Sequence, residues 1–275
     1  MTKTTIAATV LSAAIAQAGN FTAYDFGAFK MHVYNSGDVM GDASFIVEGK
    51  SELVVLEVPL FQENAKEFDA YVAKLQKPIV ASITDYHEGA VKDSKLYVAE
   101  GMKSFLVGPI YGGMMKGFQK QWAGKLVILP DVSKATEVKF GETVTLAGIS
   151  FRFEKGAATD FPAAGICIGG KVYLTHWAPA KEHPSALQIS SMAAVDAEIA
   201  AAKSSLASGA ELFVGSHGGS TTKEAVTFKI EYLNALKRLA AESKDAKELT
   251  AKIRKAYPNL AGESNLENFA AALKK

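Results

Sequence analysis

Ile83-Thr84-Asp85-Tyr86-His87-Glu88-Gly89 is the stretch on which the reading of this chain turns. It follows the short apolar run Pro78-Ile79-Val80-Ala81, whose length and composition fit a buried strand. A carboxylate and an imidazole, two residues apart, then stand where that strand should end. Side chains alternate along extended backbone, so Asp85 and His87 can face the same way. Two later stretches have the same form. Val172-Tyr173-Leu174-Thr175-His176-Trp177 is an apolar strand closing on a histidine, and Leu212-Phe213-Val214-Gly215-Ser216-His217-Gly218-Gly219 is another. Imidazole and carboxylate are the usual ligands of zinc, iron and manganese where thiolates are absent. Strand ends that each carry a histidine are therefore material for one metal site.

Each segment also has a plainer reading. Asp85-Tyr86-His87 could be an ordinary hydrogen-bonded loop, with Glu88 a solvated carboxylate or a base. His176 could simply pack against Trp177. His217 is better placed, because Ser216 and Gly218-Gly219 make a tight, open turn from which a ring can reach a cleft. His32 lies inside an aromatic-rich hairpin pattern and reads as structural.

The totals narrow the function classes. The chain has 275 residues, 48% hydrophobic and 21% charged, as expected of a globular protein with a substantial core. Lys plus Arg number 30 against 29 for Asp plus Glu. That balance argues against nucleic acid or an anionic membrane as the main partner and leaves a small molecule, with a homo-oligomer compatible. A single cysteine, Cys167, excludes an intrachain disulfide and a Cys-rich zinc site. No apolar run reaches the ~18 residues of a membrane span. Residues 1–18 admit two readings. Ile6, Val10 and Ala14 share a stripe at helical spacing, which favours an amphipathic helix and a cytoplasmic protein. The Ala-rich stretch ending in Ala16-Gln17-Ala18 also has the outline of a secretory signal, which would make the protein periplasmic or secreted.

Between these landmarks the pattern alternates. Phe21 to Tyr34 reads as a hairpin, Asp42–Glu48 and Leu53–Val58 as strands, about 62–75 as a helix with Phe68, Val72 and Leu75 inward, and Lys95–Ala99 as a strand. Gly108 to Gly124 combines glycines with large apolar groups. It reads as a loop and short helix, with Tyr111 a candidate pocket wall beside Tyr86 and Trp177. Leu126–Leu129 begins a run of β segments with antiparallel meander character that continues to Thr175. Helical patterns follow at about Met192 to Leu206 and over most of 222–273.

In order and setting these segments resemble the metallo-β-lactamase superfamily, from about Asp42 to His217. In that family an early strand pair and a helix precede a strand ending in Thr-His-x-His-x-Asp-His. Here Asp85 stands at the first histidine, His87 at the second, and Gly89 and Ala90 replace the Asp and the last His. Thr159 or Asp160 stands near the family's Gly-His-Thr turn, His176 replaces its bridging Asp, and His217 matches its final histidine. Glu57 falls where a strand-end Asp supports the site from behind. The resemblance implies an α/β fold, a four-layer αββα sandwich of two mixed β-sheets flanked by helices. It would form one domain over 1–275, with helical extensions at 1–18 and about 222–275. It also implies a metal-dependent hydrolase whose dinuclear motif is depleted. One divalent transition metal, zinc first and iron or manganese next, would be held by His87, His176 and His217 with Asp85 or Asp160. The alternative is a non-catalytic descendant that binds a small molecule or partner in the old cleft.

The choice at the N-terminus has a direct check. Sequencing of the native protein is expected to begin at Met1 or Thr2, and a start at Gly19 selects the secretory reading.

Overall fold

The computed structural model describes residues 19–85, 87, 89–157 and 164–275. The helix expected over 1–18 lies outside them, as do Tyr86, Glu88 and Asp160. The chain opens with a hairpin of β1 (Asn20–Asp25) and β2 (Lys30–Asn35), then β3 (Ala43–Glu48) and β4 (Leu53–Leu56), all antiparallel. Helix α1 (Gln62–Lys74) crosses over to β5 (Ile79–Thr84), which pairs parallel with β4 and with β6 (Lys95–Ala99). Among its described residues the β5–β6 crossover holds no helix. It is the loop that carries Asp85 and His87. Two helices, α2 (Met102–Leu106) and α3 (Pro109–Gln121), lead to β7 (Thr136–Val138), which closes a seven-stranded sheet. A second sheet, of six strands, comprises β8 (Thr143–Leu146), β9 (Ile149–Lys155), β10 (Ala164–Ile168), β11 (Val172–Trp177), β12 (Leu212–His217) and β13 (Gly219–Thr221). Helix α4 (Met192–Ala207) makes β11 and β12 parallel neighbours. Helices α5 (Lys223–Ala241), α6 (Ala246–Ala256) and α7 (Leu266–Leu273) end the chain.

The layers follow from side-chain alternation. Ile149, Phe151 and Phe153 of β9 are buried, while Ser150 and Arg152 between them are exposed. These rings meet Phe45, Val47, Leu56 and Ile83 of the first sheet and Ile166, Leu174 and Val214 of the second in one shared core. Each such side chain contributes about 1.5–3 kcal/mol on burial. The outer face of the first sheet is covered by α1, which inserts Phe68 among Tyr34, Ile46 and Val55. Tyr173 and Phe213 on the outer face of the second sheet pack against Ala202 of α4 and Val226 of α5. The expected sandwich of two mixed sheets with helices outside is therefore the observed architecture. No helix among the described residues is long and apolar enough to cross a membrane.

Three expectations change. The region 108–124 is not a loop with a short helix: α3 runs from Pro109 to Gln121, with Tyr111 and Met115 buried one turn apart. Proline suits the first helical position, and Gly112, Gly113 and Gly117 face open space, so the glycines lower propensity without marking a loop. Leu126–Leu129 forms no strand: Leu126 makes an isolated bridge to Phe61, and Ile128 is fully exposed. Thr136–Val138 joins the first sheet, parallel to β6, rather than the meander. His32 is structural, as read, with ring nitrogens 2.9 Å from the Tyr71 hydroxyl and the Glu48 carboxylate.

The segment between β11 and α4 places a second buried histidine against α5. His183 Nδ1 lies 2.7 Å from the Tyr232 hydroxyl, and burial holds the ring below the ordinary imidazole range. A folded-state value below the unfolded one of about 6.5 means the unfolded chain takes up the proton first, so stability is lost as pH falls below ~6.5. Urea midpoints are expected to fall more steeply between pH ~7 and ~5 in the parent than in His183→Gln, and equal slopes would show that His183 contributes nothing.

Candidate metal centre

The centre forms where strand ends from both sheets meet. β11 and β12 run parallel with Trp177 opposite His217, so His176 and His217 arrive at the same edge. Gly215 makes this possible: a Cβ there would lie 2.0 Å from the Ala178 nitrogen, so only glycine lets the chain leaving β11 close over β12. Ala178 N then donates to the His217 carbonyl at 2.9 Å. Gly218 and Gly219, at φ of 89° and 70°, turn the chain back into β13. From the other sheet, Asp42 makes an isolated antiparallel bridge to His217.

His87 is brought to this edge by Glu57. The Glu57 carboxylate is buried and accepts from Asp85 N at 2.5 Å and from His87 N at 3.0 Å. Thr84 Oγ1 donates to the Gly89 carbonyl at 2.5 Å, which tightens the same loop. A buried carboxylate satisfied by main-chain amides is a strong local organiser, and it holds the loop while β5 stays in the sheet.

The result is a cluster of three imidazoles. One nitrogen each of His87, His176 and His217 lies within 4.8 Å of the others. His87 Nε2 and His217 Nε2 are 3.3 Å apart, and the three ring centroids are separated by 4.7, 4.8 and 5.7 Å. Burial, followed by the neighbouring His87 and His217 rings, holds His176 well below the usual imidazole range, so its lone pair is available at neutral pH. Trp177 lies against His217 at 4.3 Å between centroids and faces a cleft of about 710 Å³. Met40, Lys181, Gln188, Thr222 and His217 itself also line that cleft.

The expected residues divide. Asp85 is not part of the cluster. Its buried carboxylate turns towards the other sheet and accepts from Ala164 N at 3.3 Å, while burial and the nearby Glu57 hold it well above the usual carboxylate range. It serves there as a tie between the sheets, apart from the three imidazoles. Tyr111 is buried against Phe105 below α3 and does not line the cleft beside His217. Glu57 stands behind the loop, with Oε2 3.7 Å from His87 Nδ1. Sequence reasoning missed Asp42, which it took only as the start of a strand. Asp42 is 4% exposed, and its Oδ1 lies 3.1 Å from His217 Nδ1 and 3.6 Å from His87 Nε2. Neither contact has hydrogen-bond geometry, so a buried carboxylate oxygen faces the imidazoles without a protein donor.

These residues fit one divalent metal. Zinc–imidazole bonds of about 2.0–2.1 Å in a tetrahedron place neighbouring nitrogens about 3.3–3.4 Å apart, close to the separation of the two Nε2 atoms. The buried Asp42 carboxylate beside the imidazoles also supplies negative charge that a cation there would balance. Among the described residues no second metal position is built. A Cβ at Gly89, where the resembling family carries Asp, would lie 2.5 Å from the Val58 carbonyl oxygen and 3.0 Å from Val58 Cβ. Gly89→Asp is therefore expected to lower stability by about 1–3 kcal/mol without raising the metal content, as read by urea unfolding and elemental analysis.

No protein-family profile and no curated protein matches this chain. Solved structures do. The sec-alkylsulfatase Pisa1 from Pseudomonas sp. aligns with a TM-score of 0.59 and 15% identity over 87% of this chain and 48% of its own. The DIM-1 metallo-β-lactamase aligns at 0.54 and 13% over 80% of this chain and 98% of its own. ST1585, an archaeal metallo-β-lactamase superfamily protein from Sulfolobus tokodaii, aligns at 0.53 and 13% over 89% and 96%. The chain spans about half the length of the alkylsulfatase. At these identities the likeness is one of backbone architecture: this chain has the metallo-β-lactamase fold.

Proposed function

We propose that this protein is a metal-dependent hydrolase with a mononuclear centre held by His87, His176 and His217, acting on a small-molecule ester, thioester, lactone or amide. The observation that carries this reading is the 3.3 Å approach of two Nε2 atoms, with a third imidazole beside them and an open cleft at His217. Zinc is the first candidate, because neutral imidazoles suit it, with iron or manganese next. When bound, such an ion supplies Lewis acidity towards an acyl oxygen and towards water. The chain's own residues do the rest. Three neutral imidazoles leave positive charge at the site undiminished. Trp177 and Met40 offer apolar walls to the substrate's body, and Lys181 offers a cation to an acidic substituent. The cleft lacks the charge excess that nucleic acid would require, in line with the chain's net charge of +1. Read with 1–18 as a helix, the compartment is the cytoplasm.

A second reading, a non-catalytic binder that uses the same cleft, is favoured by the closure of the Gly89 position against Val58. The two separate on measurement. Protein purified without chelator is expected to hold about one equivalent of a first-row metal and to lose it in His87→Ala and His217→Ala. Zinc at about 100-fold over its dissociation constant should stabilise the parent by about 2.7 kcal/mol, read as a rise in Tm that His217→Ala does not show. Turnover of chromogenic esters, thioesters or lactones should vanish with chelator and return with metal. Metal at trace levels, or unchanged in both variants, would sink the hydrolase. Thermal shifts by metabolites in metal-free protein, with no turnover, would select the binder.

A further inference from the structure

We infer that Asp42 is a positioning residue of this centre: it selects the Nδ1–H tautomer of His217 and so aims the His217 Nε2 lone pair at the point that His87 Nε2 also faces. The inference rests on reading the three histidines as a metal site.

The turn before β3 is built to deliver this side chain. Ser36 donates to the Asp42 carbonyl from both its nitrogen, at 3.0 Å, and its hydroxyl, at 2.7 Å. Asp38 Oδ1 accepts from Met40 N at 2.9 Å and from Asp42 N at 3.3 Å. Asn64 of α1 ties the turn to the first sheet by donating to the Ser36 carbonyl at 2.8 Å. The Asp42 main chain is already bridged to His217, so the carboxylate reaches the ring with its backbone fixed. The Oδ1–Nδ1 separation of 3.1 Å is that of a hydrogen bond. The angle is not; on this inference the His217 ring turns its Nδ1–H towards that oxygen.

At His87, Glu57 Oε2 stands 3.7 Å from Nδ1. With the Asp42 carboxylate behind its Nδ1, the proton of a neutral His217 ring is drawn to that side, and its Nε2 becomes an acceptor. An acceptor at His217 Nε2, 3.3 Å from His87 Nε2, takes a proton from that ring in the metal-free protein and faces the same cation in the metal-bound one. Asp42 thus orients His217 to bind metal, as a carboxylate behind a ligating histidine generally does. It does so from a different segment and a different sheet than the strand that carries His217.

Long-range proton–nitrogen correlation spectra of the metal-free parent, at a pH of about 8 where imidazoles are neutral, test this directly. His217 is expected in the Nδ1–H form, shifting towards Nε2–H in Asp42→Ala. Competition with a chromophoric chelator should show zinc bound about 10–100-fold more weakly by Asp42→Ala, with affinity recovered in Asp42→Glu. His217 in the Nε2–H form in the folded parent would overturn the inference, and this holds even if Asp42→Ala fails to fold. Parental tautomer and affinity in a folded Asp42→Ala would overturn it as well. A parent that binds no zinc at all refutes the metal-site reading instead, and the tautomer spectra still decide the role of Asp42.

Discussion

Everything at the candidate centre depends on two sheets sharing one apolar core. Phe45, Leu56 and Ile83 on one side and Phe151, Phe153, Leu174 and Val214 on the other exclude water from the space between them. Once that face-to-face packing is set, the C-terminal ends of β5, β11 and β12 come to one edge. Non-directional burial is thus what places directional chemistry. The main-chain bridge between Asp42 and His217 is where the two sheets touch at that edge, and it couples a turn of the first sheet to a ligand strand of the second.

The edge is electrostatically unusual. Three buried carboxylates, Asp42, Glu57 and Asp85, stand around or behind three imidazoles. Each solves its burial differently. Glu57 is satisfied by main-chain amides. Asp85 is held towards its neutral form and hydrogen-bonded across the gap. Asp42 Oδ1 is left facing the imidazoles. Leaving a buried acceptor unsatisfied costs about 1–3 kcal/mol, a cost that a fold tolerates where function requires it. The same logic accounts for the depleted half of the motif. At Gly89 the backbone packs on Val58, so the position is filled by protein and retains no room for a ligand.

Much of the fold was legible in the sequence. The alternation in β9, the helical stripe of α1 and the length of α4 are local patterns, and local patterns report which face of an element is apolar. The miss at α3 has the same root: its glycines suppress the helical signal, although Tyr111 and Met115 one turn apart carry it. The histidines at the ends of β5, β11 and β12 were also visible, because a polar residue closing an apolar run stands out in one dimension.

What the sequence by itself determined was the identity and order of these elements, and which strands end in a potential ligand. The tertiary structure alone decided which side chains converge. Asp85, two residues from His87, turns away, because its loop is pinned by Glu57 and its carboxyl finds Ala164 across the sandwich. Asp42, remote in sequence from His217, arrives beside it. No periodicity encodes that meeting, since it follows from the pairing of strands distant in the chain and from the burial that presses the two sheets together.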